Sequence, residues 1–297
     1  SLMEKMKKLI LVYNPVSGDA SFKNKLDRML EQFQQRNCML LIYRTRRDNR
    51  GIFAEFVRTA DAEGIIVAGG DGTVHEIVNL VLQENIKLPV AIIGSGTSND
   101  FATYLGINDD LDAYFDRIAA GHTRRVDLGR VGKEYFVNVA SAGMLTGIAH
   151  EVDVRLKNAM GKMAYYLRGI GEIPKFRSVH LQVEADGRML EEDAFLFVVV
   201  NSGVVGSLRN VAVNAKVDDG LLDMLLVRKC NVAELMALTA EIVAGRSVEH
   251  KENVLYLQAS SFKITADTKL ESDLDGECGP DLPLVIETIP KALEIYD

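Results

Sequence analysis

Cysteine is scarce and scattered: the 297 residues carry three, at Cys38, Cys230 and Cys278. Isolated thiols build neither a disulfide framework nor a CxxC metal knuckle, so a reducing compartment is expected. Long apolar runs are missing as well, although 47% of the residues are hydrophobic. No run approaches the roughly 18 residues that a bilayer-crossing helix requires, so the chain is not expected to span a membrane. Positive charge is in deficit, with 34 Lys and Arg against 42 Asp and Glu and a formal net charge of −8. That balance argues against general nucleic-acid binding and against adhesion of the whole surface to anionic lipid, so any membrane contact must be local. Internal repeats and low-complexity linkers are also absent. Ser1-Leu2 precede a Met3 that reads as a native start, and the lysines that follow lead into a strand rather than an apolar secretory segment. A cytoplasmic location is expected.

What is present is an alternation. Short apolar runs at 9–13, 39–43, 65–68 and 89–93 are separated by amphipathic stretches at 20–36, 51–62 and 73–83. Such a rhythm predicts a mostly parallel, doubly wound α/β domain with its ligands at the carboxyl ends of the strands. Beyond about residue 122 the segments turn strand-like: 125–131, 135–139, 179–184, 194–201, 221–227, 254–259, 261–266 and 284–288. Helical stretches interrupt them near 146–170 and 231–245, and Asp186-Gly187 reads as a hairpin turn. Length also favours two domains. The expectation is residues 1–122 as the α/β domain and 123–297 as a β-rich, sandwich-like domain, with the final segment able to return to the first.

The third apolar run ends in Gly69-Gly70-Asp71-Gly72-Thr73, followed by a helix expected to begin near Thr73. Glycines let backbone N–H groups approach an anion, and a helix N-terminus adds favourable dipole charge for phosphate. The Gly-Lys-Ser/Thr ending of a Walker A loop is absent, so Asp71 needs its own reason to sit beside phosphate. A bridging Mg²⁺ supplies one, because a carboxylate holds the ion or its water shell against phosphate oxygens. A bare glycine turn with Asp71 as a helix cap is the simpler alternative.

Together with Tyr13-Asn14-Pro15-Val16-Ser17-Gly18 after the first run and Gly94-Ser95-Gly96-Thr97-Ser98-Asn99-Asp100-Phe101 after the fourth, this loop resembles the diacylglycerol kinase catalytic family, which includes the sphingosine and ceramide kinases. The resemblance covers almost the whole chain. It implies that Asn14, Pro15, Val16, Ser17, Gly18, Thr45, Gly70, Asp71, Gly72, Thr73, Val74, His75, Glu76 and Thr97 contact ATP. Asp100 and Asp127 match further acidic positions of the family. His75 stands where the family usually carries Asn, and it reads as a helix-surface residue rather than a base. Arg44, Arg46, Arg47 and Arg50 cluster after the second run, either reaching phosphate through charge-assisted hydrogen bonds or remaining solvated.

Phosphoryl transfer also needs an aligned acceptor and a carboxylate to receive its proton. Asp273-Leu274-Asp275-Gly276-Glu277 resembles the family's Asp-Gly-Glu motif, which implies Glu277 as proton acceptor, with Asp275 as the rival base or a metal-facing carboxylate. Lys216-Val217-Asp218-Asp219-Gly220-Leu221 resembles the segment that holds a structural Mg²⁺ in bacterial members. It implies Asp219 as side-chain ligand and Lys216 and Leu221 as carbonyl ligands. An ordinary Asp-Gly turn is the alternative.

Between residues 155 and 177 six basic side chains face one acid, Glu172, among tyrosines and methionines. The mixture suits transient docking on an anionic membrane interface, and equally an amphipathic helix packed on the second domain. The expected function is ATP- and Mg²⁺-dependent phosphorylation of diacylglycerol at a membrane surface to give phosphatidic acid. Another hydroxylated lipid such as a sphingoid base, NAD as acceptor, and a nucleotide-sensing regulator without turnover are the alternatives. A homodimer is left open.

Overall fold

The computed structural model describes residues 5–15, 22–94, 111–143, 177–201, 204–205, 208–209, 219–244 and 246–297. The chain divides into two compact units, Ser1–Val126 with Lys291–Asp297, and Asp127–Pro290.

The first unit alternates β1 (Lys7–Tyr13), α1 (Phe22–Gln35), β2 (Cys38–Arg44), α2 (Ile52–Ala60), β3 (Gly64–Gly69), α3 (Asp71–Gln83), β4 (Val90–Gly94) and α4 (Leu111–Ala120). The strands pair in parallel in the order β2-β1-β3-β4. The β1 and β3 runs are apolar without alternation because helices cover both faces of a parallel sheet, and Leu9–Val12 and Ile65–Ala68 are all buried. At the sheet edge β2 exposes Met39 and Ile42. Helix α3 opens at Asp71, two residues before the position expected from the sequence. Ile295, near the chain's end, pairs in parallel with Val90, so the last residues supply a further strand to this sheet.

The second unit is antiparallel. It contains β5 (Thr123–Val131, which begins in the first unit), β6 (Glu134–Phe136), β7 (Val139–Gly143), β8 (Val179–Ala185), β9 (Arg188–Val200), β10 (Val204–Val205), β11 (Leu208–Arg209) and β12 (Leu222–Arg228). Helix α5 (Val232–Val243), β13 (Val254–Ala259), β14 (Ser261–Ala266), β15 (Glu271–Leu274), β16 (Glu277–Asp281) and β17 (Leu284–Tyr296) complete the chain. The long strand β9 changes partners along its length: residues 188–194 pair with β8, while 196–200 lie between β7 and β12. Asp186 and Gly187, both at positive φ (47° and 84°), form the two-residue turn from β8 to β9, as the Asp-Gly dipeptide predicts. Phe136, Phe197, Phe262, Leu226 and Ile286 are among the residues of its main core.

Residues 135–139 were expected as one strand. They are instead split into β6 and β7, because a distant carboxylate takes the N–H groups at the break. The expected helix at 146–170 lies outside the described residues. All three cysteines are free thiols. Among the described residues no helix is long and apolar enough to cross a membrane.

Candidate active site

In a parallel sheet ordered β2-β1-β3-β4, the chain leaves β1 toward one side and β3 toward the other. Their following loops diverge and open a crevice at the carboxyl edge, where this sheet architecture binds ligands. Asn14 and Pro15 leave β1 there, and Gly70 leads from β3 into α3. A Cβ on Gly69 would lie 2.8 Å from Thr73 Cβ and 3.0 Å from its Oγ1, so the strand can end this close to the helix only with glycine. Gly70 is extended (φ −80°, ψ −175°), and the first helical bond runs from Val74 N–H to Gly70 O at 3.1 Å. The N–H groups of the first helical turn lie at the helix's positive end.

The Asn14 side-chain amide donates to Thr73 Oγ1 across the crevice at 3.4 Å. Asp71 and Thr73 are buried in the first turn at 5% and 4% exposure, Val74 is buried, and Gly72 is half-buried. Thr45, also buried, extends the β1–β2 ladder by donating its N–H to Tyr13 O at 2.9 Å. Glu76 points to the β2–α2 loop, where it accepts from Asn49 Nδ2 at 2.5 Å.

His75 is not the helix-surface residue expected from the sequence. It is 5% exposed, and the Asn79 side-chain amide donates to its carbonyl at 2.9 Å and lies 3.4 Å from its Nε2. The cause is that α3 buries Val74, Ile77, Val78 and Val81 as well, so more than one face of the helix is covered. Val16, Ser17, Gly18, Thr97, Asp100 and Lys216 lie outside the described residues, as does the basic segment except for the exposed Arg177.

In the second unit, Asp275 and Gly276 (φ 55° and 91°) form a second two-residue hairpin turn, joining β15 to β16. Asp275 is 2% exposed. Its Oδ2 accepts from Val137 N–H at 2.7 Å, and its Oδ1 accepts from Asn138 and Val139 N–H at 2.7 and 3.0 Å. This is the carboxylate that interrupts the expected 135–139 strand. A carboxylate so engaged holds the backbone and is poorly placed to receive a substrate proton. Asp273 is also occupied, accepting from Gly276 N–H at 2.7 Å. Glu277, the first residue of β16, is exposed and is the carboxylate of this turn offered to solvent.

Asp127, 2% exposed, accepts from Gly220 N–H at 2.5 Å, and its carbonyl accepts from the Asn201 side-chain amide at 2.8 Å. Exposed Asp219 accepts from Leu221 N–H at 2.9 Å, the closed form of an Asp-Gly turn. The described part of the expected metal segment is thus an all-oxygen group, the Asp219 carboxylate and the Leu221 carbonyl, with Asp127 bonded to the turn between them. That donor chemistry fits a hard cation such as Mg²⁺. Among the described residues no cluster of three or more His, Cys, Asp or Glu side chains is arranged to hold a metal.

Sequence reasoning missed Asn49 and Asp223. Asn49 is 2% exposed; its Oδ1 accepts from Tyr43 OH (2.8 Å) and Arg46 N–H (2.9 Å), and its Nδ2 also donates to Arg46 O at 3.0 Å. Asp223, 1% exposed on β12, has neither oxygen in hydrogen-bond geometry. Burial pushes its pKa up to about 6, against the smaller lowering influence of Gln258 and Tyr256 nearby. The Asn49 bonds to Tyr43 and Arg46 are local, whereas its bond to Glu76 and the burial of Asp223 depend on neighbours brought in by the fold.

The family model described as the diacylglycerol kinase catalytic domain matches residues 8–131, and that described as the YegS C-terminal NAD kinase beta sandwich-like domain matches residues 138–297. The diacylglycerol kinase of Bacillus subtilis (strain 168) is 32% identical over 94% of this chain and 92% of its own. That of Staphylococcus aureus (strain MRSA252) is 31% identical over 98% of this chain and 92% of its own. Among solved structures, a chain from Bacillus anthracis str. Sterne superposes with a TM-score of 0.80 at 26% identity, covering 99% of this chain and 98% of its own.

Proposed function

Since this chain belongs to the diacylglycerol kinase family of lipid kinases, we propose that it transfers the γ-phosphate of ATP to the free hydroxyl of diacylglycerol, giving phosphatidic acid and ADP. The observation that carries the nucleotide half is the Asn14–Thr73 contact over the β1/β3 crevice, beside a helix N-terminus whose N–H groups suit phosphate. Phosphates lying against the N–H groups of Asp71, Gly72 and Thr73 would be held by fixed dipoles rather than by long, floppy side chains.

Mg²⁺, when bound, neutralises phosphate charge; Asp71 would hold it at the nucleotide, and Asp219 with the Leu221 and Lys216 carbonyls would hold a structural ion. Glu277 takes the proton of the acceptor hydroxyl as the new O–P bond forms and the bond to the ADP oxygen breaks. Its exposure supports that role over the backbone-bound Asp275. The enzyme works in the cytoplasm and meets its lipid by transient contact with the membrane surface.

NAD stays in view as an acceptor because the second matching model is described as NAD kinase-like. The test is transfer of labelled γ-phosphate to diacylglycerol, sphingosine and NAD in parallel with Mg²⁺, using wild type and Glu277→Ala. Labelled phosphatidic acid from wild type, lost in a folded variant that still binds ATP, is the expected result. Labelling of sphingosine or NAD alone would move the acceptor assignment. No labelling of any acceptor despite ATP binding would overturn the proposal in favour of a nucleotide sensor.

A further inference from the structure

The loop from β2 into α2 places Arg44, Arg46, Arg47 and Arg50 within seven residues, opposed there only by Asp48. This concentration of positive charge stands in a chain whose formal net charge is −8. All four arginines are exposed, and among the described residues none forms an ion pair.

The loop is built rather than loose. Buried Asn49 clamps it through Tyr43, Arg46 and Glu76. Neighbouring carboxylates are engaged in shaping it, because Asp48 accepts from Arg50 N–H (3.0 Å), Glu76 from the Asn49 amide, and Glu84 from Gly51 N–H (2.7 Å). None of these bonds involves a guanidinium. Two large apolar side chains flank the arginines in exposed positions: Ile42, two residues before Arg44 on the same face of β2, and Ile52, which opens α2.

We propose that the Arg44–Arg50 loop, with Ile42 and Ile52, is a docking surface for anionic phospholipid headgroups. Guanidinium groups pair with phosphate in a planar, bidentate fashion. Each basic residue near an anionic bilayer raises partition roughly fivefold at moderate salt. Exposed isoleucines add an apolar component that reaches the acyl boundary, which a polyphosphate backbone would not use. The choice of lipid as partner rests on the lipid-kinase reading, but binding to vesicles requires no turnover, so the two stand or fall separately.

The test is sedimentation of the full chain, without nucleotide, on vesicles of phosphatidylcholine alone or mixed with phosphatidylglycerol, at low and high salt. Wild type is expected on the mixed vesicles and to be released by salt. The triple variant Arg46→Gln/Arg47→Gln/Arg50→Gln should lose roughly tenfold or more of its bound fraction, with an unchanged melting temperature. A charge-matched control, Lys87→Gln/Arg188→Gln/Lys263→Gln, should bind nearly as wild type. Ile52→Gln should weaken binding to the mixed vesicles at low salt without changing the salt concentration that releases it.

Absence of wild-type binding, or equal losses in both triple variants, would overturn the proposal. So would a loop variant that keeps vesicle binding while its ATP affinity falls, which would assign the arginines to the nucleotide. Retention of wild type on single-stranded DNA in place of vesicles would assign them to a polynucleotide.

Discussion

The Asn14 side-chain amide donates to the Thr73 hydroxyl at 3.4 Å and ties the first residue after β1 to the first turn of α3. The bond spans the place where the strand order reverses, so it fixes the spacing of the two loops proposed to hold the nucleotide. Thr73→Val keeps the side-chain shape and removes the acceptor. A neutral hydrogen bond is worth about 1 kcal/mol, so ATP affinity is expected to fall roughly fivefold to tenfold and the melting temperature by roughly 2–4 °C. Calorimetric titration decides it: wild-type affinity in Thr73→Val, or the same loss in Thr73→Ser, would remove this bond from the nucleotide site.

Gly69 tests the same turn from the other side. An added methyl meets Thr73 Cβ at 2.8 Å, where backbone and helix start must both shift. Overpacking of this kind costs roughly 1–3 kcal/mol. Gly69→Ala is therefore expected to unfold at lower urea and to lose ATP affinity by more than Thr73→Val does. A variant with unchanged urea midpoint and affinity would show that α3 adjusts freely.

Asp275 and Glu277 are two residues apart and are expected to fail in opposite ways. Asp275 holds three backbone N–H groups at 2.7–3.0 Å, so Asp275→Asn leaves at least one buried donor without its acceptor. The expected loss is roughly 2–4 kcal/mol of unfolding free energy. Glu277 is exposed, and Glu277→Gln should stay within about 0.5 kcal/mol of wild type while turnover drops roughly 10²–10⁴-fold. Urea unfolding and initial rates on the same two proteins separate the roles. A stable Asp275→Asn with no turnover, beside an active Glu277→Gln, would reverse the assignment.

These residues also show where sequence reading reached and where it stopped. The β3 run and the glycines after it were legible because a strand buried on both faces is continuously apolar and its ligand loop must be small. The Asp186-Gly187 turn was legible because the dipeptide tolerates two positive φ values. Asp275-Gly276 has the same turn chemistry, but the three acids within five residues, Asp273, Asp275 and Glu277, read first as a catalytic cluster and not as a hairpin. The break between β6 and β7 lay beyond any local rule, since the Asp275 carboxylate that causes it is more than 130 residues away. His75 was misplaced for a related reason: a single helix sequence does not state how many of its faces its neighbours will cover.

The pair His180 and Asp193, directly opposite each other on β8 and β9, gives the fold a readable pH response. Nδ1 of His180 lies 2.8 Å from Asp193 Oδ1, and Glu191, one step away on the same face, lies 3.6 Å from its Nε2. The Asp193 hydrogen bond, aided by both carboxylate charges, raises the imidazole above its ordinary pKa. A raised folded-state value means that the stabilising contribution is fully present below the unfolded pKa of about 6.5 and is lost as pH rises through the folded value. Asp193→Asn should therefore lower the melting temperature below about pH 6 and leave it nearly unchanged at alkaline pH, where the imidazole is neutral. Because the pair is solvent-exposed, the effect should shrink with added salt. An NMR titration in which His180 keeps its midpoint after Asp193→Asn would show that the bond carries no weight in solution.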